Sequence, residues 1–235
     1  ADLPAVRLRQ RQDLKAALDG FQRRLAACAG TRDLNRHYEQ AYTMLASATC
    51  RRAFALEDEP AALRDRYGRN RSGQACLLAR RLVEAGVPFV EVDLGGWDNH
   101  NGIHTILKDT KLPQLDRAMS ALVEDLAQRE LLQDTVVMWM GEFGRTPRIN
   151  QNAGRDHFAR AWSCVVGGGN LQGGLAVGQT SSDGQAVETE PYRSEDLMTT
   201  VCKGLGIPTE KTFTSKNGRP MKIAGGGKII SELVA

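Results

Sequence analysis

Through the first 130 residues, apolar side chains recur with the spacing of amphipathic helices. This spacing predicts helices over residues 5–29, from a cap near 31–33 to about 55, over 74–85 and over 111–130. Gly86 follows the third helix, where a glycine commonly ends one. A last helix is predicted over 191–204, with Ser194 as its cap and acidic residues in its first turn.

Three shorter apolar runs have the length of strands, and they cover residues 87–94, 135–140 and 162–166. A short apolar run bounded by turn residues is typical of a strand buried on both faces, as in a parallel sheet. The order strand, helix, strand predicts a right-handed parallel crossover. We therefore predict a single α/β domain over 1–235, with 1–70 as a mainly helical lead-in and 74–235 as the core.

The bulk composition excludes several classes of protein. The 31 basic and 28 acidic residues leave a formal net charge of +3, and the two signs are interspersed, so we expect no nucleic-acid partner. No apolar run approaches the roughly 20 residues needed to span a bilayer, so we expect no membrane span. The five cysteines form no CxxC pair, and they fit neither a zinc knuckle nor a disulfide scaffold.

Acidic residues and histidines gather at the ends of the predicted strands. Because ligands bind at the carboxyl ends of parallel strands, we expect these side chains to converge. Carboxylates and imidazoles supply the lone pairs that a zinc- or manganese-type cation needs. The candidate metal ligands are Asp98, His100 and His104 in a first cluster, Glu142 in a second, and Asp156 and His157 in a third.

Each of these features also has a structural explanation. An Asp-x-His pair such as Asp98 and His100 can cap a loop, and Arg145 can form a salt bridge at a strand end. The alternative role for Arg145, shared with Arg155, is an anion clamp, because a guanidinium matches the oxygens of phosphate or sulfate. The glycines at 167–169 lack the spacing of a phosphate-binding loop, so we interpret them as a turn.

Four stretches of the sequence together resemble one bacterial family. They are residues 69–87, 96–100 (Gly-Trp-Asp-Asn-His), 141–147 (Gly-Glu-Phe-Gly-Arg-Thr-Pro) and 154–158 (Gly-Arg-Asp-His-Phe). The chain resembles the family called domain of unknown function 1501, which is placed in the alkaline phosphatase and sulfatase superfamily. Its members are typically exported, so the resemblance implies a secreted or periplasmic full-length protein.

The superfamily implies a three-layer α/β/α sandwich with a mostly parallel sheet and two metal ions beside a nucleophile. Asp98 with His100, or alternatively with His104, matches the first metal motif of the superfamily. By that similarity one metal takes Asp98, His100 and His157. A second metal takes Glu142, with Asp156 as a further ligand, although relatives usually show Asp-His where this chain has Glu-Phe. The expected ions are zinc or, alternatively, manganese, calcium or magnesium.

The function implied by the resemblance is metal-dependent hydrolysis of phosphate or sulfate esters, either small molecules or polysaccharides. Arg145 would stabilise charge in the transition state. The superfamily's first strand, which carries a metal-binding Asp and the nucleophile, has no counterpart ahead of the predicted helices. We therefore expect the chain to be the carboxyl-terminal portion of a longer protein. The alternative is a non-catalytic binding or scaffold protein that kept the fold and lost the chemistry.

Overall fold

Helices form most of the regular structure in the computed structural model, which describes residues 5–22, 37–39, 42–43 and 47–234. The helices with defined bounds are α1 (Ala5–Gln22), α2 (Ala48–Phe54), α3 (Ala61–Tyr67), α4 (Arg71–Glu84), α5 (Ile103–Ile106), α6 (Leu112–Gln128) and α7 (Ser194–Gly204). Short 3-10 turns occupy Leu56–Asp58, Leu132–Asp134, Ile223–Gly226 and Ser231–Leu233. No helix in these ranges is both long enough and apolar enough to cross a bilayer.

The helices predicted over 74–85, 111–130 and 191–204 are confirmed as α4, α6 and α7. The first predicted helix is confirmed as far as Gln22. Of the second, residues 37–39 and 42–43 are helical, and the others before Ser47 lie outside the described residues. The part up to Phe54 is the separate helix α2, which begins after the N-cap Ser47. One cap was wrong. Arg193 is the N-cap residue of α7, and its backbone N–H donates to the Asp196 carboxylate at 2.9 Å.

Helices α5 and α6 follow one another without leaving the right-handed helical region, joined by a π-helical turn at Leu107–Lys111. Pro113 lacks the N–H that would bond the carbonyl of Asp109, and its ring crowds that carbonyl. A wider turn just ahead of the proline is consistent with this local conflict. The helical path therefore begins at Ile103, well ahead of the predicted start at Lys111.

The apolar core lies where α4 packs against α6 and the end of α3. Its buried residues are Tyr67, Cys76, Leu77, Ala118 and Ala121. Ala118 and Ala121 lie three residues apart, so both fall on one face of α6, and their small side chains allow α4 to approach closely. The helical spacing read from the sequence thus corresponds to a real packing surface.

A buried charge network joins the same helices. Arg80 of α4 is 1% exposed, and its guanidinium forms ion pairs with Glu59 and Glu84 at 2.5 Å and with Asp125 of α6 at 2.9 Å. Asp125 also accepts a hydrogen bond from the Tyr67 hydroxyl at 3.0 Å. Burial alone would raise the pKa of Glu59, but hydrogen bonds from Arg80 and Arg81 hold that pKa below its usual value.

The strands of the described residues are short, and each pairs antiparallel with one other strand to form a two-stranded sheet. They are β1 (Val136–Trp139), β2 (Gly144–Arg145), β3 (His157–Phe158), β4 (Val165–Gly168), β5 (Thr212–Thr214) and β6 (Pro220–Lys222). The pairs are β1 with β4, β2 with β3, and β5 with β6. In the first pair Val136 lies opposite Gly168 and Trp139 lies opposite Val165.

The predicted three-layer α/β/α sandwich is therefore wrong, and so is its mostly parallel sheet. Residues 87–94 form neither a helix nor a strand, and the Phe89 side chain is 77% exposed. The predicted parallel crossover from this segment to β1 is absent, since β1 pairs antiparallel with β4. An apolar pattern favours an extended backbone, but a strand also needs a neighbour for its N–H and C=O groups.

The first prediction concerns the buried network. Replacing Arg80 by alanine removes the buried partner of Glu59 and Asp125, which keep only Arg81 and Arg129. This should cost about 3 kcal/mol of unfolding free energy, the lower end of the range for a broken buried ion pair. The matched control is Arg66→Ala, because Arg66 forms an exposed ion pair with Glu124 on α6, and such pairs contribute about 1 kcal/mol or less. Urea denaturation measures both, and equal losses in the two variants would contradict the structural role of the network.

Candidate metal centre

Two loops, with the strand β3 that follows the second, carry most of the candidate ligands, and backbone hydrogen bonds hold the two loops together. We call residues 95–102 loop L1 and residues 146–156 loop L2. The Gly102 N–H donates to the Asn152 carbonyl at 3.0 Å, and the Arg155 N–H donates to the Asn99 carbonyl at 3.1 Å. Ile103, 4% exposed at the start of α5, anchors the end of L1. Residues 50 positions apart in sequence therefore meet in a defined register.

Gly154 permits this close approach. A Cβ atom at this position would lie 2.0 Å from both the carbonyl carbon and the oxygen of His100. No side chain fits at that distance, so any substitution must push L2 away from L1. The glycine is buried, and its requirement here is steric, since its φ lies outside the left-handed region.

The β2–β3 pairing brings Arg145 next to His157. The two residues lie directly opposite each other in the antiparallel register. Phe143 lies beside both, because its ring centroid is 4.6 Å from that of His157 and 5.6 Å from the Arg145 guanidinium carbon. The short hairpin therefore sets the positions of one candidate ligand and one candidate anion-binding group at the same time.

Asp98 is the centre of the cluster. Its Oδ1 atom lies 2.5 Å from Arg145 Nη1, 2.9 Å from His100 Nε2 and 3.0 Å from His157 Nε2. The hydrogen bond from His157, followed by that from Arg145, lowers the pKa of Asp98 to about 2. The carboxylate is thus ionised at neutral pH and surrounded by three nitrogen groups.

His100 lies between two carboxylates. Its Nδ1 atom is 2.9 Å from Asp156 Oδ1, and its Nε2 atom is 2.9 Å from Asp98 Oδ1. The hydrogen bond to Asp156 is the largest cause of a raised pKa at His100, to which the Asp98 charge adds. A ring with a proton on both nitrogens satisfies both carboxylates, and a cation that binds at Nε2 must displace the proton there.

Asp98, His100 and His157 can together hold one cation. One ligand atom from each of the three lies within 4.8 Å of the others. Two imidazole nitrogens and one carboxylate oxygen form a donor set that suits zinc, with a fourth position open. The three side chains come from L1 and β3, and the loop contacts and the hairpin register determine their mutual positions.

The remaining predicted site residues lie at different places around this group. Asp156 contacts His100 from the Nδ1 side of the ring, and Arg145 contacts Asp98. Glu142 is 69% exposed in its side chain, and its carboxylate is 3.9 Å from Arg145 Nη2. His104 lies exposed on α5, outside the three-residue group. Across the described residues, no second group of this kind accompanies the first.

Asn150 is a further residue of the site that the sequence did not predict. Its side chain donates to the His100 carbonyl at 3.1 Å and to Asp156 Oδ1 at 3.0 Å. Its Oδ1 atom accepts from the backbone N–H groups of Asn152 and Gly154, both at 2.9 Å. An asparagine between Pro147 and Gly154 is an ordinary turn residue, so its position in the sequence gives no sign of this role.

Comparison with known proteins identifies the family. The model of the family described as "Protein of unknown function (DUF1501)" matches residues 1–234. The chain therefore belongs to this family, and the resemblance read from its motifs is confirmed at that level. No curated protein and no solved structure matches the chain.

The second prediction concerns the charge on His100. In the metal-free protein the ring should titrate above 6.5, because the carboxylate of Asp156 favours its protonated form. Protonation of His100 therefore stabilises the folded state. This contribution is fully present below the pKa of His100 in the unfolded chain, and it is lost as the pH rises through the pKa of His100 in the folded protein. Proton NMR of the His100 ring measures the titration.

Asp156→Asn should lower the pKa of His100 in the same experiment. Asp183→Asn, which removes an exposed carboxylate from a different loop, should leave it unchanged and is the matched control. A wild-type ring that titrates at or below 6.5 would contradict the geometry of the cluster.

Proposed function

We propose that this member of the DUF1501 family is a metal-dependent hydrolase of phosphate or sulfate esters, and that Asp98, His100 and His157 hold its cation. The observation that carries the proposal is the convergence of three ligand atoms within 4.8 Å. Catalytic zinc sites use three protein ligands of this kind and keep a fourth position for water or substrate. Zinc is the preferred ion, with manganese, calcium and magnesium as alternatives.

The bound cation would supply Lewis acidity toward an ester oxygen and a more acidic water. Arg145 would bind the charged oxygens of the ester. Its Nη1 atom is engaged by Asp98 at 2.5 Å, whereas its Nη2 atom lies 3.9 Å from Glu142, too far for a hydrogen bond. A guanidinium presents parallel donors that match phosphate or sulfate, so the Nη2 side is suited to an anionic ligand.

We further propose a relationship to the alkaline phosphatase and sulfatase superfamily. Its support is the order of the motifs, an Asp with a nearby His, an acid in a turn after a strand, and a His at a later strand. In this chain these are Asp98 with His100, Glu142 and His157. The fold adds no support, because the strands of the described residues form only two-stranded antiparallel sheets.

A second candidate is a binding or scaffold protein that holds a cation without catalysis. The openness of the cluster favours it, since the side chains of Asp98 and His157 are 62% and 54% exposed. Hydrolases usually carry out their chemistry in a recess that excludes bulk water and strengthens electrostatic interactions. Both candidate functions use the same metal centre, but only the hydrolase would turn over an ester substrate.

The third prediction tests the metal centre. Asp98→Ala and His157→Ala should each weaken zinc binding by more than about 100-fold, because loss of a ligand should cost more than loss of an outer-shell partner. Isothermal titration calorimetry measures the affinity, and circular dichroism checks the fold. His104→Ala is the matched control and should bind zinc as the wild type does. If the wild-type protein binds none of the four cations, the metal centre is refuted.

The fourth prediction tests catalysis. Arg145→Lys should lower the hydrolysis of aryl phosphates or aryl sulfates by about 10²–10³-fold while zinc stoichiometry is unchanged, because lysine keeps the charge but loses the paired donors. Steady-state rates on zinc-loaded protein give the comparison, with Arg148→Lys in L2 as the control. A zinc-loaded wild type that hydrolyses neither ester class would favour the scaffold candidate.

A further inference from the structure

Asp156 contacts the His100 ring at Nδ1, and Asp98 contacts it at Nε2, with 2.9 Å between the atoms in each case. Asn150 donates to the backbone carbonyl of His100. A neutral imidazole carries one proton, and without a cation the two carboxylates compete for it. When a cation shared with His157 occupies Nε2, the proton must lie on Nδ1, where the Asp156 carboxylate accepts it.

Asn150 connects L1 at His100 to L2 at Asp156. Its amide group donates to the His100 carbonyl in L1 and to the Asp156 carboxylate in L2, at 3.1 and 3.0 Å. Its oxygen accepts from the Asn152 and Gly154 N–H groups and so closes the turn of L2. Only a side chain that has both two N–H donors and an oxygen acceptor makes these four bonds, which an aspartate or an alanine cannot do.

We infer that Asn150 and Asp156 are positioning residues, which hold His100 in its Nδ1–H tautomer so that Nε2 faces the cation. The inference deepens the proposed function and rests on it, since it takes Nε2 as a ligand atom. It gives Asp156 a role different from the direct ligation expected from the sequence. The Asp156 Oδ1 atom is already engaged by His100 and Asn150.

The tautomer is measured first, in metal-free protein that carries Asp98→Ala, so that no carboxylate competes for the proton at Nε2. Long-range ¹H–¹⁵N NMR of the His100 ring, at a pH above its titration, should show the proton on Nδ1. Adding Asp156→Leu removes the remaining acceptor and should move the proton to Nε2, whereas adding Asp156→Asn keeps an acceptor oxygen and should retain the proton on Nδ1. An Nε2–H ring in Asp98→Ala, or no change when Asp156→Leu is added, would overturn the inference.

Metal binding is measured second, by calorimetry with zinc and by the visible absorption of the cobalt-loaded protein. Asp156→Leu and Asn150→Ala should weaken zinc binding by about 10–100-fold, as loss of an outer-shell partner does. Their cobalt spectra should match that of the wild type, because the ligand atoms are unchanged. Asn152→Ala is the matched control, because Asn152 joins these contacts through its backbone, and its affinity should match the wild type.

The outcomes distinguish failure of the positioning role from failure of the proposed metal centre. A cobalt spectrum that changes in Asp156→Leu would make Asp156 a ligand and overturn the positioning role. If zinc does not bind the wild type, the proposed function fails, while the tautomer measurement still decides what Asp156 does to His100. If Asp156→Leu does not fold, a roughly tenfold loss of zinc affinity in Asn150→Ala with an unchanged cobalt spectrum supports the inference, and no loss overturns it.

Discussion

The candidate site depends on one close backbone contact, between L1 at His100 and L2 at Gly154. The two loops touch at a distance that excludes a Cβ atom, and hydrogen bonds on either side hold the register. This contact and the β2–β3 pairing together place the three candidate ligand atoms within 4.8 Å of one another. If the loops separated by even a few ångströms, Asp98 and His100 would lose their partners in L2 and β3.

The structure uses charge in two different ways. Around Arg80 the ion pairs with Glu59 and Asp125 are buried, and the pair with Asp125 joins α4 to α6. Removing water from such groups is costly, so they contribute to stability only as a complete network. Around Asp98 the charges are exposed, and acids and imidazoles are crowded where no packing requires them. Crowding of this kind at the surface is what a cation site needs, because the ligand must enter from solvent.

Much of the helical part could be predicted from the sequence. The apolar positions of α4, α6 and α7 recur with the helical period, and a helix makes its hydrogen bonds within one segment. The site residues could be named for a similar reason, since Asp98, His100 and His157 have the chemistry of ligands wherever they lie. The sheet could not be predicted, because the apolar segment 87–94 has no strand partner among the described residues.

The sequence by itself therefore determined the helices, the family and the residue types able to bind a cation. Only the tertiary structure decided that Asp98, His100 and His157 meet, that His104 and Glu142 lie apart from them, and that Asn150 holds the two loops. The physical reason is the range of the interactions. Helical periodicity is local, whereas strand pairing and ligand convergence depend on contacts between residues about 50 positions apart, which local patterns do not specify.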